Sequence, residues 1–494
     1  MNEATWLPLL KPYVSSAVLA RLGRGVEDAL APVERVRGAI LLLDIAGFTP
    51  MVVTLSGMGP RGIDALRRLF ASYYTEMIEV VQAWGGDVYQ FAGDSILALF
   101  ETEPGEEDAQ VALRVACCGL GIQRRLARFS DIEVLGNRFV VSARIGLGHG
   151  DCHRLLLGTS EPWCHPALIG TPLERAVAAE KRATAGEVVA SPEVWGLLPP
   201  GRLGEQVRDS FFRVESAPEP VGWTPVREQP RGAVEERLWM ESCARLINPI
   251  LLRKVATEHQ DFTGDFRDVT SLFVRFSFQE PDASPTVLAE QLDRVYTQVQ
   301  REAGTYGGVL LMTDFTDKGH VLYVLFGAPT AQPNKEVLAC RLACRLLKKK
   351  EELPFLDLMQ MGIATGPAYC GDLGSPARKG YSTLGEVVNM AARLMTFGRG
   401  TGIYVDAHTE RRLRQGFATE LYENTPLKGM ARTVSIYRIQ SELRQARNLL
   451  TRSRGDIIGR REELDTLREA ARATLAGAGQ VCLVSGEAAS ASRG

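Results

Sequence analysis

One order of elements occurs twice in this 494-residue chain, and that repetition limits what the chain can fold into. Val36 to Asp44 is a continuous apolar run ending in an acid, the pattern of a buried strand. A long helical pattern from Ile63 to Trp84 follows and stops at Gly85-Gly86. Asp87 to Phe100 reads as a hairpin turning at Ala92-Gly93-Asp94. A helix (Glu106 to Ser130), a strand (Val140 to Leu147) and a helix after Gly170 complete the first copy. The second copy has an apolar strand at Val269 to Phe276 and a helix from Pro285 to Ala303 that leads to Gly307-Gly308. Its hairpin runs from Val309 to Phe326, and Met359-Gln-Met-Gly-Ile-Ala-Thr-Gly366 answers Ala143-Arg-Ile-Gly-Leu-Gly-His-Gly150. Each unit is far longer than the roughly 20–50 residues of a solenoid repeat. The pattern therefore predicts two homologous α/β lobes, at 34–215 and 265–440.

The remaining stretches flank these lobes. Pro8 and Pro12 argue against a helix at the very start. From Tyr13 to about Pro32 the pattern is helical, with Val14, Val18 and Leu22 on one face, giving a helical segment over 1–33. Pro218, Pro220, Pro225 and Pro230 mark a linker, and with a helical segment it fills 216–264. Residues 441–494 form a tail.

Composition narrows the class of partner. With 45% hydrophobic and 23% charged residues the chain is of ordinary globular type. A net charge of −2 gives no electrostatic reason to expect nucleic acid or an anionic membrane. No apolar run reaches the roughly 18 residues of a membrane-spanning helix. The start, Met-Asn-Glu-Ala-Thr-Trp, lacks the basic-then-apolar layout of a signal peptide. Nine scattered cysteines fit reduced thiols, so a cytoplasmic location is expected. Cys152-His153 and Cys164-His165 lack the spacing of zinc fingers and read as a strand hairpin that carries thiols.

The residues with chemistry sit far apart. Asp44 ends a buried strand and precedes Ile45-Ala-Gly-Phe48-Thr49. Glycine and a hydroxyl ahead of a helix suit backbone N–H groups that cradle phosphate oxygens. Asp94 sits at the tip of a hairpin that can lie beside that strand. Either acid alone is read most simply as a cap or turn residue. Together, from adjacent strand ends, they can hold hard divalent ions against a triphosphate. In the second lobe, Val387 to Met395 is an apolar helix with Asn389 and Arg393 at i and i+4, on one face. A guanidinium with its planar fork of donors suits a phosphate.

Leu-Leu-Leu-Asp44-Ile-Ala-Gly-Phe-Thr, Phe-Ala-Gly-Asp94-Ser and Leu-Gly-Glu-Val-Val-Asn389-Met-Ala-Ala-Arg393 together resemble the class III nucleotidyl cyclases. The tandem lobes are most similar to soluble, bicarbonate-responsive adenylyl cyclases. The resemblance implies an α/β (α+β) fold of two ferredoxin-like lobes paired head to tail, with sites at their interface. It implies that Asp44 and Asp94, with the Ile45 carbonyl, hold two divalent cations: Mg2+, with Mn2+ and Ca2+ as alternatives. Asn389 would orient the ribose, Arg393 would steady charge on the α-phosphate, and Arg144 would reach the leaving pyrophosphate. Lys318 and Ser382 match the donor and acceptor that read adenine, which favours ATP over GTP. The proton acceptor for the ribose hydroxyl is left open between water and a substrate phosphate.

Laid over each other, the lobes are complementary. The second has Arg275 where the first has Asp44, and Gly319-His320 in place of Gly93-Asp94. The first has Glu174 and Ala178 where the second has Asn389 and Arg393. One interface site thus receives the catalytic parts and the other almost none. The resemblance assigns the second site to bicarbonate, held by Arg175 and a lysine whose place Gln90 takes here. Intramolecular pairing of the lobes makes a monomer sufficient. The tail, with Gln480-Val-Cys-Leu-Val-Ser-Gly-Glu-Ala, resembles the start of an AAA-type ATPase, a truncated P-loop-like segment without the Gly-Lys-Ser/Thr ending. Two rival readings are a non-catalytic nucleotide-sensing module and an interaction scaffold.

Overall fold

A computed structural model describes residues 7–22, 32–92, 95–218, 240–258, 264–280, 283–316, 319–426, 433–443, 461–475, 477–479 and 481–482. Two short helices come first, α1 (Leu7–Leu10) and α2 (Ser16–Leu22). Pro8 lies in the first turn of α1, where a missing N–H costs nothing, so the expectation of no helix there fails. The helix expected from Tyr13 begins three residues later, and residues 23–31 lie outside those described.

The first lobe contains β1 (Val33–Ala46), α3 (Phe48–Ser56), α4 (Pro60–Ala83), β2 (Asp87–Ala92), β3 (Ser95–Glu101) and α5 (Asp108–Leu126). A small hairpin, β4 (Ile132–Val134) and β5 (Asn137–Phe139), precedes β6 (Ser142–Leu157) and β7 (His165–Ile169). Then come α6 (Thr171–Glu180), β8 (Val188–Ala190), α7 (Pro192–Leu197), β9 (Leu203–Gln206) and β10 (Phe212–Ser216). After α8 (Pro249–Glu258) the second lobe repeats the order with β11 (Asp265–Phe278), α9 (Pro285–Thr305), β12 (Val309–Thr316), β13 (Gly319–Phe326) and α10 (Lys335–Lys350). It continues with β14 (Leu356–Gly374), β15 (Lys379–Leu384), α11 (Glu386–Phe397), β16 (Gly402–Asp406), α12 (Ala407–Leu413), β17 (Phe417–Pro426) and β18 (Thr433–Glu442). A last helix, α13 (Arg461–Leu475), lies in the tail. The phosphate-loop-like stretch of the tail falls almost wholly outside the described residues.

Each lobe is built on one sheet. The orders are β2-β3-β1-β6-β8-β10-β9, with β7 beside β6, and β12-β13-β11-β14-β16-β18-β17, with β15 beside β14. The identical permutation shows that the repeat seen in the sequence is a repeat of fold. In both lobes the central strand is buried on both faces, Leu41 and Leu43 of β1 one way and Val36 and Ile40 the other, Leu272 and Val274 of β11 one way and Val269 and Phe273 the other, which explains their apolar runs.

The strands β6 and β14 outrun the expected lengths because each extends past its own sheet as an arm. The arm of the first lobe sends Leu155, Leu157, Trp163 and Ile169 into the core of the second, against Val295, Tyr296 and Val299 of α9. The arm of the second lobe returns Tyr369, Leu373 and Leu384 to the core of the first, where Tyr369 meets Phe70 at 5.3 Å. Each such side chain contributes roughly 1.5–3 kcal/mol by leaving water. Head-to-tail pairing of the lobes is therefore an extension of the two cores rather than a surface contact. Cys152 and His165 lie on the β6–β7 hairpin, as the strand reading of that cluster expects. No described helix is long and apolar enough to cross a membrane.

Candidate active site

The cleft between the lobes encloses a cavity of about 500 Å³. From the first lobe its wall takes Asp44 at the end of β1, Ser95 at the start of β3 and Arg144 on β6. From the second it takes Asn389 and Arg393 on α11. The β1–β6 register sets Asp44 directly opposite Arg144, so an acid and a cation distant in sequence meet where the end of β1 lies beside the start of β6. Asn389 and Arg393 reach the same space because one helical face carries both. Val387, Ala391 and Leu394 on the opposite side are buried against the sheet.

The Asp44 carboxylate is fully engaged. Its Oδ1 accepts from Ser95 Oγ at 2.9 Å, and its Oδ2 accepts from Arg144 Nη2. Arg144 also lies 3.0 Å from Glu180 Oε1, which completes an acid–base–acid cluster. Glu180 was not among the residues expected here. The signal that could have found it is the spacing of Leu173, Val177 and Glu180, which line the cavity as one face of α6. Among the described residues no three acids, histidines or cysteines converge as a metal site. Asp44 and Ser95 offer oxygen donors, the kind a hard divalent cation takes, and Arg144 would have to yield its place on Asp44 to admit one. Ile45, next along β1, has a buried side chain.

Phe48 opens α3 behind Gly47, whose φ of +99° is left-handed and whose added Cβ would lie 2.2 Å from the Val140 carbonyl. Only glycine fits there. The Phe48 ring is buried 4.9 Å from both Phe70 and Tyr73, which anchors the helix start. The amides of Phe48 and Thr49 belong to a first helical turn, where no partner exists within the helix.

The other side of the cavity is different. Gln90 Nε2 donates to the Thr313 carbonyl at 2.6 Å across the lobe boundary, beside Asp314, Leu168, Leu173 and Val177. The His165 ring lies 3.1 Å from Thr313 Oγ1 and stacks on Tyr296. Arg175, expected to hold an anion here, is turned away. Its guanidinium donates to the His149 carbonyl at 2.8 Å and pairs with Glu193 at 3.1 Å. The reason is helical phase: two residues beyond Leu173 is about 200° around α6, off the cavity face. Ser382 is buried on β15 opposite Gly371 and is not part of the cavity wall. Asp94, Lys318 and the side chain of Thr49 lie outside the described residues.

In the second lobe the positions equivalent to Asp44 and Arg144 are Arg275 and Gln360, paired in the same register and bonded at 3.1 Å. The cavity thus has one acid-bearing strand end facing one Asn/Arg helix. Residues 257–441 match the family described as the adenylate and guanylate cyclase catalytic domain.

Adenylate cyclase type 10 of Homo sapiens is 24% identical over 394 residues, covering 74% of this chain and 24% of that protein. Adenylate cyclase 1 of Rhizobium meliloti is 23% identical over 202 residues, covering 38% of this chain and 29% of that one. The chain thus spans about a quarter of the length of the curated relatives it matches. Among solved structures, a class III adenylyl cyclase-like ATP-binding protein from Pseudomonas aeruginosa superposes with a TM-score of 0.51 at 11% identity. That match covers 80% of this chain and 92% of the other. The fold is accordingly that of two class III cyclase lobes.

Proposed function

We propose that this chain is an adenylyl cyclase with a single composite active site between lobes at 34–215 and 265–440, forming 3′,5′-cyclic AMP and pyrophosphate from ATP. The observation that carries this reading is the shared cavity of Asp44, Ser95 and Arg144 with Asn389 and Arg393, against Arg275 and Gln360 at the mirror positions. A site that only bound nucleotide would have no need of a cation aimed at the reacting phosphate in addition to an acid-bearing strand end.

In this reading Asp44 and Asp94, with the Ile45 carbonyl, would hold two divalent cations. When bound, these would make the ribose 3′-hydroxyl more acidic and neutralise triphosphate charge. Asn389 hydrogen-bonds the ribose and orients its hydroxyl. Arg393 stabilises the charge that develops on the α-phosphate. Arg144, released from Asp44 and held by Glu180, binds the departing pyrophosphate. Lys318 selects adenine, and Ser382, buried off the cavity wall, is left out of that role. The amides of Phe48 and Thr49 face phosphate oxygens at the start of α3.

A sensing role without turnover is the second reading. A solved neighbour that covers 80% of this chain is described as cyclase-like and ATP-binding, and here the Asp44 carboxylate is already occupied by Arg144. Product formation separates the two. Purified chain is incubated with ATP or GTP and Mg2+, Mn2+ or Ca2+, alongside Asp44→Asn and Arg393→Ala. Cyclic AMP lost by at least a hundredfold in both variants supports the composite site. Bound ATP with no product under any metal makes the protein a sensor.

A further inference from the structure

Arg378, in the turn between β14 and β15, is buried with its charge and donates to four backbone carbonyls. Its Nε bonds the Val88 carbonyl at 2.7 Å and Nη2 bonds the Tyr89 carbonyl at 3.0 Å, both on β2 of the first lobe. Its Nη1 bonds the carbonyls of Lys379 at 2.8 Å and Pro12 at 3.3 Å. A guanidinium has five N–H donors, so nearly all of its capacity joins three segments: β15, β2 and the stretch before α2. Its carbon sits 5.4 Å from the centroid of the Phe91 ring.

These carbonyls are available for a reason. β2 is the edge strand of its sheet, and its pairing with β3 slips between Val88 and Gln90, which leaves Tyr89 as the extra residue of a bulge. A bulged edge is loosely specified and exposes main-chain acceptors. Beyond the bulge the strand presents Gln90 to the cavity, four residues ahead of Asp94 in the sequence. Asp87, at the head of the same strand, is buried and takes the Ser16 amide on its Oδ1 at 2.7 Å, which ties α2 to the same point. Tyr13 reaches Asp372 of β14 at 2.6 Å. At the matching place in the first lobe stands Trp163, which has no guanidinium to make such a clamp.

We propose that Arg378 is a positioning residue that clamps the bulged strand β2 and the N-terminal segment to the second lobe, and so presets the gap across which nucleotide must bridge. It touches no substrate. Losing it lowers the fraction of molecules whose lobes are already in register. Apparent affinity falls by that fraction, while saturating nucleotide, which contacts both lobes, restores the assembled state. A purely structural role would instead remove active protein and lower kcat at constant KM.

The inference rests on the cyclase reading for its kinetic test alone. Full-length Arg378→Gln and the milder Arg378→Lys, whose ammonium cannot reach all four carbonyls, are compared with the parent by hydrogen exchange and by cyclic AMP formation. In Arg378→Gln, exchange at residues 87–92 and 7–22 is expected to quicken at least tenfold, with residues 356–366 of β14 unchanged. KM for ATP is expected to rise at least tenfold with kcat within threefold, and Arg378→Lys to fall between. Unchanged exchange in those two segments in both variants overturns the proposal, as does a drop in kcat at constant KM. A parent that makes no cyclic nucleotide refutes the cyclase reading, and the exchange data then decide the clamp by themselves.

Discussion

Lowering the pH should loosen the contact between β7 and β12, and the size of the effect follows from His165. Its ring is packed on Tyr296 with Nε2 against Thr313, and burial lowers its pKa from 6.5 to about 4. Between those values the unfolded chain binds a proton that the folded chain refuses. Stability from this group is therefore complete above pH 6.5 and is lost as the pH falls toward 4. Each pH unit in that window removes about 1.4 kcal/mol, so pH 5 should remove about 2 kcal/mol. The residue keeps some exposed surface, which lets solvent screen the charge and makes that figure a ceiling. His165→Gln retains an amide that can meet Thr313 but does not titrate. Urea unfolding at pH 7 and pH 5, followed by circular dichroism, gives the comparison. The parent should lose about 2 kcal/mol more than the variant between the two pH values. Equal losses would refute the argument that the buried ring stays neutral in the fold. His320, also lowered to about 4 by burial, is present in both proteins and cancels.

Two further perturbations test the site. Gly362 packs under α11, and an added Cβ would lie 2.1 Å from the Ala391 carbonyl. Gly362→Ala should therefore displace the helix of Asn389 and Arg393, cost about 1–3 kcal/mol in a thermal melt, and lower kcat at least tenfold. Gly146→Ala makes the same clash with the Ala176 carbonyl under α6 and should destabilise similarly with a smaller loss of kcat. At fixed pH, cyclic AMP formation should be flat in bicarbonate. Gln90 supplies no charge, and Arg175 is committed to Glu193 outside the cavity. A saturable rise would show that an anion is captured by other groups.

Much of this protein is written locally. Apolar runs ending in an acid, helical periodicity and paired glycines repeat in order, and these short-range patterns give two lobes because secondary structure follows from neighbours along the chain. The pairing of Asn389 with Arg393 was equally legible, since four residues make one turn of helix. The strand lengths were not, because β6 and β14 continue as arms whose burial is supplied by the other lobe.

The side-chain partners lay beyond the sequence for the same reason. Whether Arg175 faces the cavity depends on the rotational phase of α6 against its sheet, and the packing of Leu173 and Val177 turned it outward. That Arg144 holds Asp44 is decided by the register of two strands whose residues meet only in the folded sheet. Gln90 finds Thr313, and Arg378 finds β2, only once the lobes are docked. The sequence by itself determined two lobes of one fold with unequal chemistry. The tertiary structure decided which charges meet in the cleft, because hydrogen bonds and ion pairs act over a few ångströms and distance along the chain does not predict distance in space.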